Sequence, residues 1–234
     1  MNLSDIGPVV LVGAGKMGLA LARGWIAGGL PADRLVLCDP QPSEFATQFA
    51  AEHGIRLQAS PIGVLTHVLA LAVKPQVIYE VMAEIQPIVG SYTLVLSIAA
   101  GISLVGLSEG LQTERVIRTM PNTPAQVGRG ITGAVGLSIS EEDRETANAL
   151  LSAAGQVMWF DDETKIDGVT AVSGSGPAYV FYMVEALAAA ARRQGFDEEQ
   201  AMQLARATVT GAAALMDADP SPAGTLRENV TSPK

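Results

Sequence analysis

Short apolar runs alternate with longer amphipathic stretches over residues 1–162. The runs that we interpret as buried strands lie at residues 9–12, 35–38, 68–73, 93–98, 116–117, 131–137 and 157–160. Helices are predicted between them, at 19–27, 44–53 and 76–89 and after the cap at Ser140. Strands that are apolar throughout and alternate with helices indicate a parallel sheet covered on both faces. We therefore predict an α/β domain over residues 1–162.

The pattern changes after Asp162, beyond which only helices are predicted. A helix at 163–172 is expected to be interrupted at Gly174-Ser175-Gly176, so that the next helix begins at Pro177. Residues 163–234 therefore form a second, all-helical domain in this interpretation.

One helix of this second domain is unusually apolar. Between residues 178 and 191 the only charged side chain is that of Glu185. A helix that is apolar on nearly every face must be buried on nearly every face, and residues 163–234 are too few to enclose it. We expect a second copy of the chain to cover it, so that the helical domain forms a homodimer.

Composition narrows the classes of protein that the chain can belong to. The net charge of −9 argues against a nucleic-acid partner, because polyanion binding needs clustered lysine and arginine. The apolar runs are too short for a membrane span, and no basic signal-peptide segment precedes Lys16. The single cysteine, Cys38, suits a reducing compartment. We expect a cytoplasmic protein with no membrane association and no metal site.

A glycine-rich turn follows the first predicted strand. Its sequence, Gly13-Ala14-Gly15-Lys16-Met17-Gly18, fits G-x-G-x-x-G between a strand and a helix, the context in which the motif indicates a dinucleotide site. The first glycine makes the turn, the second admits the diphosphate and the third allows the helix to pack on the strand. We predict a Rossmann-type domain in which these six residues bind the cofactor; the other interpretation is an ordinary glycine-rich turn.

Asp39 ends the second predicted strand, 39 − 18 = 21 residues after the third glycine. A carboxylate there accepts hydrogen bonds from a ribose 2′-hydroxyl and repels a 2′-phosphate, which favours NADH. No arginine or lysine follows in the segment 40–43. The competing interpretation is that Asp39 only caps the turn before Pro40.

Ligands of an open parallel sheet bind beyond the carboxyl ends of its strands. Ala72, Val73, Lys74 and Pro75 end one such strand and Ala99 follows another, so we predict that all five contact the cofactor. Lys74 is expected at a cofactor phosphate or ribose, or near the nicotinamide; otherwise it is a solvated loop lysine.

Several short motifs then converge on one family. They are Ala72-Val73-Lys74-Pro75, Ser97-Ile98-Ala99-Ala100-Gly101-Ile102, Arg118-Thr119-Met120-Pro121-Asn122-Thr123-Pro124, Ala171-Val172-Ser173-Gly174-Ser175-Gly176-Pro177-Ala178-Tyr179 and Asn229-Val230-Thr231-Ser232-Pro233. In this order and spacing the chain resembles pyrroline-5-carboxylate reductase over its whole length.

The resemblance implies hydride transfer from a reduced nicotinamide to the C=N carbon of 1-pyrroline-5-carboxylate, which yields L-proline. It also implies dimers that often assemble into rings. Many members prefer NADPH, which opposes the Asp39 argument, so both cofactors stay open. By resemblance Glu163 lies beside the substrate, Asn229 touches the cofactor, and Thr231 and Ser232 begin the loop that grips the substrate carboxylate.

The chemistry of a cyclic imine agrees with the residues present. The imine nitrogen can arrive protonated, so the protein supplies mainly orientation and charge placement. That suits a site without an obvious histidine, and we interpret His53 and His67 as structural. A helix start at Ser175-Gly176-Pro177 would offer backbone donors to a carboxylate, although Ser175 could equally be only a helix cap.

The motif of the resembling family continues past Lys234 with a threonine expected to hydrogen-bond the substrate nitrogen. No residue here matches that threonine, so no catalytic residue is assigned. We expect that the chain is truncated or proteolysed, that its tail is disordered, or that it is a defective version, and that this form binds dinucleotide but reduces the imine poorly.

Two other functions compete with this one. A β-hydroxyacid-type dehydrogenase would need a lysine in the helical domain as proton donor, and none lies between Lys165 and Lys234. A non-catalytic dinucleotide-binding or redox-sensing protein would share the glycine turn.

Overall fold

The structure is a computed structural model that describes residues 1–231. Two compact units divide it: Met1–Ser175 form the first, and the chain from Gly176 onward forms the second. The predicted domain boundary after Asp162 stays a prediction. In the structure, residues 163–175 group with the sheet unit.

The first unit is built on one eight-stranded sheet with the order β3-β2-β1-β4-β5-β6-β7-β8. The strands are β1 (Val9–Val12), β2 (Leu35–Cys38), β3 (Arg56–Gln58), β4 (Val68–Leu71), β5 (Leu94–Ser97), β6 (Val116–Met120), β7 (Gly130–Gly136) and β8 (Gly155–Trp159). Strands β1 to β6 pair in parallel, as predicted for a Rossmann-type sheet.

The prediction of a wholly parallel sheet is wrong at one end. β7 runs antiparallel to β6, with Met120 opposite Gly133, and β8 is parallel to β7. Apolar periodicity marks a strand as buried but carries no direction, so the reversal was not visible in the sequence. β3 was also missed, because its three residues are only partly buried and form no apolar run.

Helices cover both faces of this sheet. In the first unit they are α1 (Lys16–Ala27), α2 (Glu44–His53), α3 (Ile78–Ile85), α4 (Leu104–Leu111), α5 (Glu141–Ser152) and α6 (Lys165–Val169). Local sequence fixes several starts: Ser43 and Ser103 accept the third backbone N–H of α2 and α4, and Ser140 forms a capping box with Asp143 at α5. α4 was not predicted, because it has only eight residues and its one sequence signal is the cap at Ser103.

The two faces of the sheet build two cores. Along β1, Val9 and Leu11 pack in the same cluster as Trp25 of α1, whereas Val10 and Val12 pack with Met82 of α3. This alternation follows from the period of two in a strand. Trp25 is fully buried, and its indole N–H donates to the Leu150 carbonyl at 2.8 Å. Both cores hold the carboxyl edge of the sheet rigidly in place.

The second unit contains α7 (Gly176–Arg193), α8 (Glu198–Ala218) and α9 (Ala223–Asn229). α7 and α8 meet through small side chains: Ala188, Ala201 and Ala205 are buried there. α8 begins with a capping box between Asp197 and Gln200. Most of the other apolar residues of α7 stay exposed in the single chain, as the homodimer prediction requires; the large ones are Tyr179, Val180, Phe181, Tyr182, Met183 and Leu187.

Candidate active site

The glycine turn lies where β1 ends and α1 begins, and two of its three glycines are required by close contacts within the chain. Gly13 has φ = +96°, and a Cβ there would lie 2.7 Å from the Ala72 carbonyl oxygen. A Cβ on Gly18 would lie 2.2 Å from the Gly13 carbonyl oxygen, so α1 packs directly on the turn. A Cβ on Gly15 would meet nothing within 4 Å. The turn is therefore closed towards the sheet and open at Gly15.

The open side of the turn fits a dinucleotide diphosphate. The N–H groups of the first turn of α1 have no acceptor within the helix, and they point out of its N-terminus beside Gly15. A cavity of about 650 Å³ borders the turn and extends along the ends of β2 and β4. Predicted cofactor residues Gly13, Gly15, Asp39, Ala72, Val73 and Lys74 all line this cavity.

Asp39 is fixed by two backbone donors. Its Oδ2 accepts from the Ala14 N–H at 2.9 Å, and its Oδ1 accepts from the Gln41 N–H at 2.9 Å. The carboxylate therefore joins the end of β2 to the glycine turn and also caps the turn after Pro40. A carboxylate has about four acceptor positions, so each oxygen keeps room for a ribose hydroxyl. The two roles weighed for Asp39 are compatible.

Other predicted cofactor residues occupy different positions around the turn. Ala14 is buried, and Lys16 lines a neighbouring cavity of about 490 Å³ that it shares with Gly15. Ala99 is buried beyond β5, with its N–H directed at Ser97 Oγ at 3.3 Å. Met17 packs against the core, and Pro75 opens a short 3-10 turn after Lys74. Their contacts with a cofactor remain predictions.

Cys38 also lines the 650 Å³ cavity, at the end of β2. Burial raises the pKa of its thiol to about 12, although the charge of Arg56 partly opposes this. A thiol that stays protonated is a poor nucleophile. Cys38 therefore lines the cavity as a protonated thiol.

An ion-pair network lies at the other side of the sheet unit. Arg118 of β6 is buried and donates to Glu163 Oε1 at 2.7 Å and to Asp167 Oδ1 at 3.2 Å. The same Glu163 oxygen accepts the Leu104 N–H at 2.8 Å, at the start of α4. Glu163 thus anchors α6 to the sheet and to α4. Its predicted place beside the substrate remains a prediction. The sequence indicated Arg118 only as part of a motif and predicted no role for its side chain.

Asn122 ties the loop after β6 to the segment that follows α6. Its Nδ2 donates to the Ser173 carbonyl at 3.2 Å, and its Oδ1 accepts the Ile131 N–H at 2.9 Å. This buried amide was also missed, because an asparagine in a Pro-rich loop reads as a turn residue. It holds the Ser173 segment against the end of β6.

The helix predicted at 163–172 is interrupted close to the predicted position. Thr170–Gly174 form a π-helical turn, and α7 begins at Gly176, one residue before the predicted start. The Ser175 N–H donates to the Thr170 carbonyl at 2.9 Å, so this one backbone donor is already used within the chain. Its hydroxyl donates to the same carbonyl at 3.2 Å, which makes Ser175 part of the π turn. Such turns often occur at functional sites.

The remaining predicted site residues belong to the second unit. Asn229 is the last residue of α9, and the Thr231 hydroxyl donates to the Arg227 carbonyl at 2.8 Å. Ser232 lies outside the described residues. The predicted roles of all three in cofactor or substrate binding stay predictions.

The two histidines lie away from the cavity at the glycine turn. His53 ends α2 and stacks near Phe49, with ring centroids 4.7 Å apart, and His67 precedes β4 at the opposite edge of the sheet. Across residues 1–231, no three His, Cys, Asp or Glu side chains are grouped to hold a metal ion. In that same part of the chain no helix is long and apolar enough to cross a membrane.

Comparison with known proteins gives one consistent answer. The family model described as "Pyrroline-5-carboxylate reductase dimerisation" matches residues 163–234, and the one described as "NADP oxidoreductase coenzyme F420-dependent" matches residues 8–101. The chain is 38% identical to the pyrroline-5-carboxylate reductase of Vibrio alginolyticus, covering 96% of this chain and 84% of that protein. It is 37% identical to that of Pisum sativum, over 99% and 85% of the two chains.

Solved structures agree with these relatives. The pyrroline-5-carboxylate reductase of Coxiella burnetii superposes with a TM-score of 0.89 at 32% identity, covering 97% of this chain and 86% of the other. The Plasmodium falciparum enzyme, solved with NADP bound, gives 0.83 at 26% identity over 97% and 84% of the two chains.

Proposed function

The chain belongs to the pyrroline-5-carboxylate reductase family, and we propose that it reduces 1-pyrroline-5-carboxylate to L-proline, the last step of proline synthesis. The observation that carries this proposal is the glycine turn, closed towards the sheet by Gly13 and Gly18 and open at Gly15 beside a cavity of about 650 Å³. The 38% identity over nearly the whole chain supports the substrate.

Each part of the first unit has a distinct task in this reaction. The N–H groups at the start of α1 bind the diphosphate, and Asp39 accepts hydrogen bonds from a ribose. Ala72 to Pro75 and Ala99, beyond the ends of β4 and β5, orient the nicotinamide. When bound, the reduced nicotinamide supplies the hydride.

The substrate requires little acid–base catalysis from the protein. Its imine nitrogen binds in the protonated form and keeps that proton in the amine product, so orientation is the main requirement. We assign Glu163, Ser175, Thr231 and Ser232 to the substrate side. Glu163 is suited to that place because its carboxylate is held by buried Arg118 and keeps a second oxygen facing away from that bond.

The exposed apolar side chains of α7 support a homodimer formed through the second unit, in agreement with the matching dimerisation family model. We further propose that dimers assemble into rings and that the protein works in the cytoplasm. The one cysteine fits a reducing compartment.

The deciding experiment is a reductase assay with the purified chain. Oxidation of NADH or NADPH is followed after 1-pyrroline-5-carboxylate is added, and L-proline is identified by chromatography. A parallel reaction receives a β-hydroxyacid with the oxidised cofactor. Proline formation is expected. Turnover only of the hydroxyacid would favour the related dehydrogenase, and cofactor binding without turnover would favour a non-catalytic dinucleotide-binding protein.

A further inference from the structure

We propose that this chain selects NADH over NADPH, and that Asp39 and Glu84 together exclude the 2′-phosphate. This inference rests on the proposed function, whose family includes an enzyme solved with NADP bound. Membership of the family therefore leaves the choice of cofactor open. The residues at the ribose end of the cavity decide it.

Asp39 cannot turn away from a bound ribose. Both of its oxygens are held by backbone N–H groups, from Ala14 and from Gln41, at 2.9 Å each. Rotation of the side chain to admit a phosphate would leave two backbone donors without their acceptor, which is costly in a partly buried turn. The remaining acceptor positions suit hydroxyl donors and repel a dianion.

A second carboxylate lines the same cavity. Glu84, near the C-terminal end of α3, accepts the Ser60 hydroxyl at 2.8 Å, and both residues border the cavity together with Asp39 and Gln41. A 2′-phosphate carries up to two negative charges at neutral pH. Two carboxylates that line the same cavity both oppose the binding of such a group there.

The basic residues of the first unit do not offset this repulsion. Among the described residues that line the cavity, Lys74 is the only cation. It follows β4, whereas Asp39 follows β2, and β1 lies between these strands. Two strand spacings separate their backbones by about 10 Å, so Lys74 and Asp39 project from different parts of the cavity rim.

The other nearby cations do not line this cavity. Lys16 and Arg23 line the neighbouring cavity, where the Arg23 guanidinium lies 5.8 Å from the Phe49 ring centroid. Arg56 pairs with Val36 in the sheet register, three residues before Asp39, and its charge acts on the Cys38 thiol, but Arg56 is not among the residues that line the cavity. The described lining of the cavity therefore contains no guanidinium to receive a 2′-phosphate.

Binding of two probes tests the inference without any reaction. Isothermal titration compares ADP with its 2′-phosphorylated form, adenosine 2′-phosphate 5′-diphosphate, so that the two probes differ only in the phosphate that distinguishes NADPH. We expect the chain to bind ADP at least about tenfold more tightly, and kcat/KM for the imine reaction to favour NADH by a similar factor. Equal affinities, or tighter binding of the 2′-phosphorylated probe, would overturn the inference.

Variants of the residues that line the cavity identify which side chains discriminate against the 2′-phosphate. Glu84→Gln keeps an acceptor for Ser60 and should reduce the discrimination about threefold or more. Its matched control is Glu109→Gln, an equal change of charge at an exposed residue of α4, a helix that contributes no residue to the cavity lining, and it should leave the ratio unchanged. Gln41→Arg adds a cation where the ribose lies and should shift the ratio towards the 2′-phosphorylated probe.

Asp39→Asn should also bring the affinities for the two probes closer together. The ratio of these affinities is the readout, because the loss of one acceptor for the turn weakens the binding of both probes alike. If Glu84→Gln and Asp39→Asn both left the ratio unchanged, the assignment of these residues would be wrong. Imine reduction with NADPH preferred would overturn this inference and leave the proposed function intact. Tighter binding of ADP without any imine reduction would support this inference and overturn the proposed function.

Discussion

Arg118 and Glu163 form a partly buried ion pair that joins β6 to the start of α6. The Arg118 Nη1 to Glu163 Oε1 distance is 2.7 Å, and the two side chains are 9% and 26% exposed. The same Glu163 oxygen accepts the first backbone N–H of α4. One carboxylate therefore neutralises a buried cation and caps a helix.

Replacing Glu163 separates a structural role from a substrate role. Glu163→Gln should lower the free energy of unfolding by about 1–3 kcal/mol, because Arg118 loses its charged acceptor. Chemical denaturation measures this, with the nearby exposed variant Asp161→Asn as control, expected within about 0.5 kcal/mol of the parent. Unchanged stability together with a raised KM for the imine would instead place Glu163 in contact with substrate alone.

The glycine turn predicts opposite outcomes for two alanine variants. Gly15→Ala should leave stability within about 0.5 kcal/mol of the parent, because its Cβ meets nothing within 4 Å. It should weaken ADP binding about tenfold or more, since the methyl group occupies the space left for the diphosphate.

Gly18→Ala should instead cost about 1–3 kcal/mol of stability, because its Cβ would lie 2.2 Å from a backbone carbonyl oxygen. Thermal unfolding and titration with ADP are run on both variants. Tight ADP binding by Gly15→Ala would show that the diphosphate lies elsewhere.

The exposed apolar side chains of α7 predict where a newly introduced charge would dissociate the dimer. Phe181 is 62% exposed in the single chain, and Phe181→Asp should yield monomers because it places a charge in the subunit interface. Phe45 on α2 is similarly exposed at 69%, and Phe45→Asp should leave the dimer intact. Light scattering with size-exclusion chromatography distinguishes the two. Dissociation by the Phe45 variant alone would move the interface to the sheet unit.

Asp143 predicts a loss of stability in acid. Burial alone would raise the pKa of Asp143, but hydrogen bonds from Arg115 and Ser140 outweigh it and hold the pKa below its ordinary value. Its contribution is therefore complete above the unfolded-state pKa of about 3.9 and is lost as the pH falls through the lower folded-state value.

Asp143→Asn should accordingly be less stable than the parent at pH 7, by about 1–3 kcal/mol, and the difference should shrink below about pH 4. Urea unfolding measured across this pH range provides the comparison. A difference that stayed constant into acid would mean that the lost capping geometry, and not the charge, is responsible.

Much of the first unit was predictable because its signals are local. Strands β1, β2, β4 and β5 are buried at every residue, which leaves an uninterrupted apolar run in the sequence. The glycine turn and the Ser140 cap carry their own short-range patterns. The direction of β7 depends on pairing with β6, and no local pattern encodes such pairing.

The site was predictable only in part for a similar reason. Gly13, Gly15 and Asp39 follow from a fixed spacing after a strand. Glu84 reaches the cavity because α3 packs on the sheet, and Arg118 meets Glu163 across 45 positions of sequence. The interruption near Ser175 was predictable because three small residues in a row indicate one, but its π-helical form and the bond from Asn122 to the Ser173 carbonyl depend on contacts distant in sequence.

The hydrogen bond between Asp39 and the Ala14 N–H is made within the chain and joins β2 to the glycine turn. The bend that receives the diphosphate is therefore already shaped by β2 in the free chain. The conformational entropy of that backbone is lost during folding, so little more is lost when a nucleotide binds. Encounter should proceed in a single kinetic phase whose rate rises linearly with nucleotide concentration.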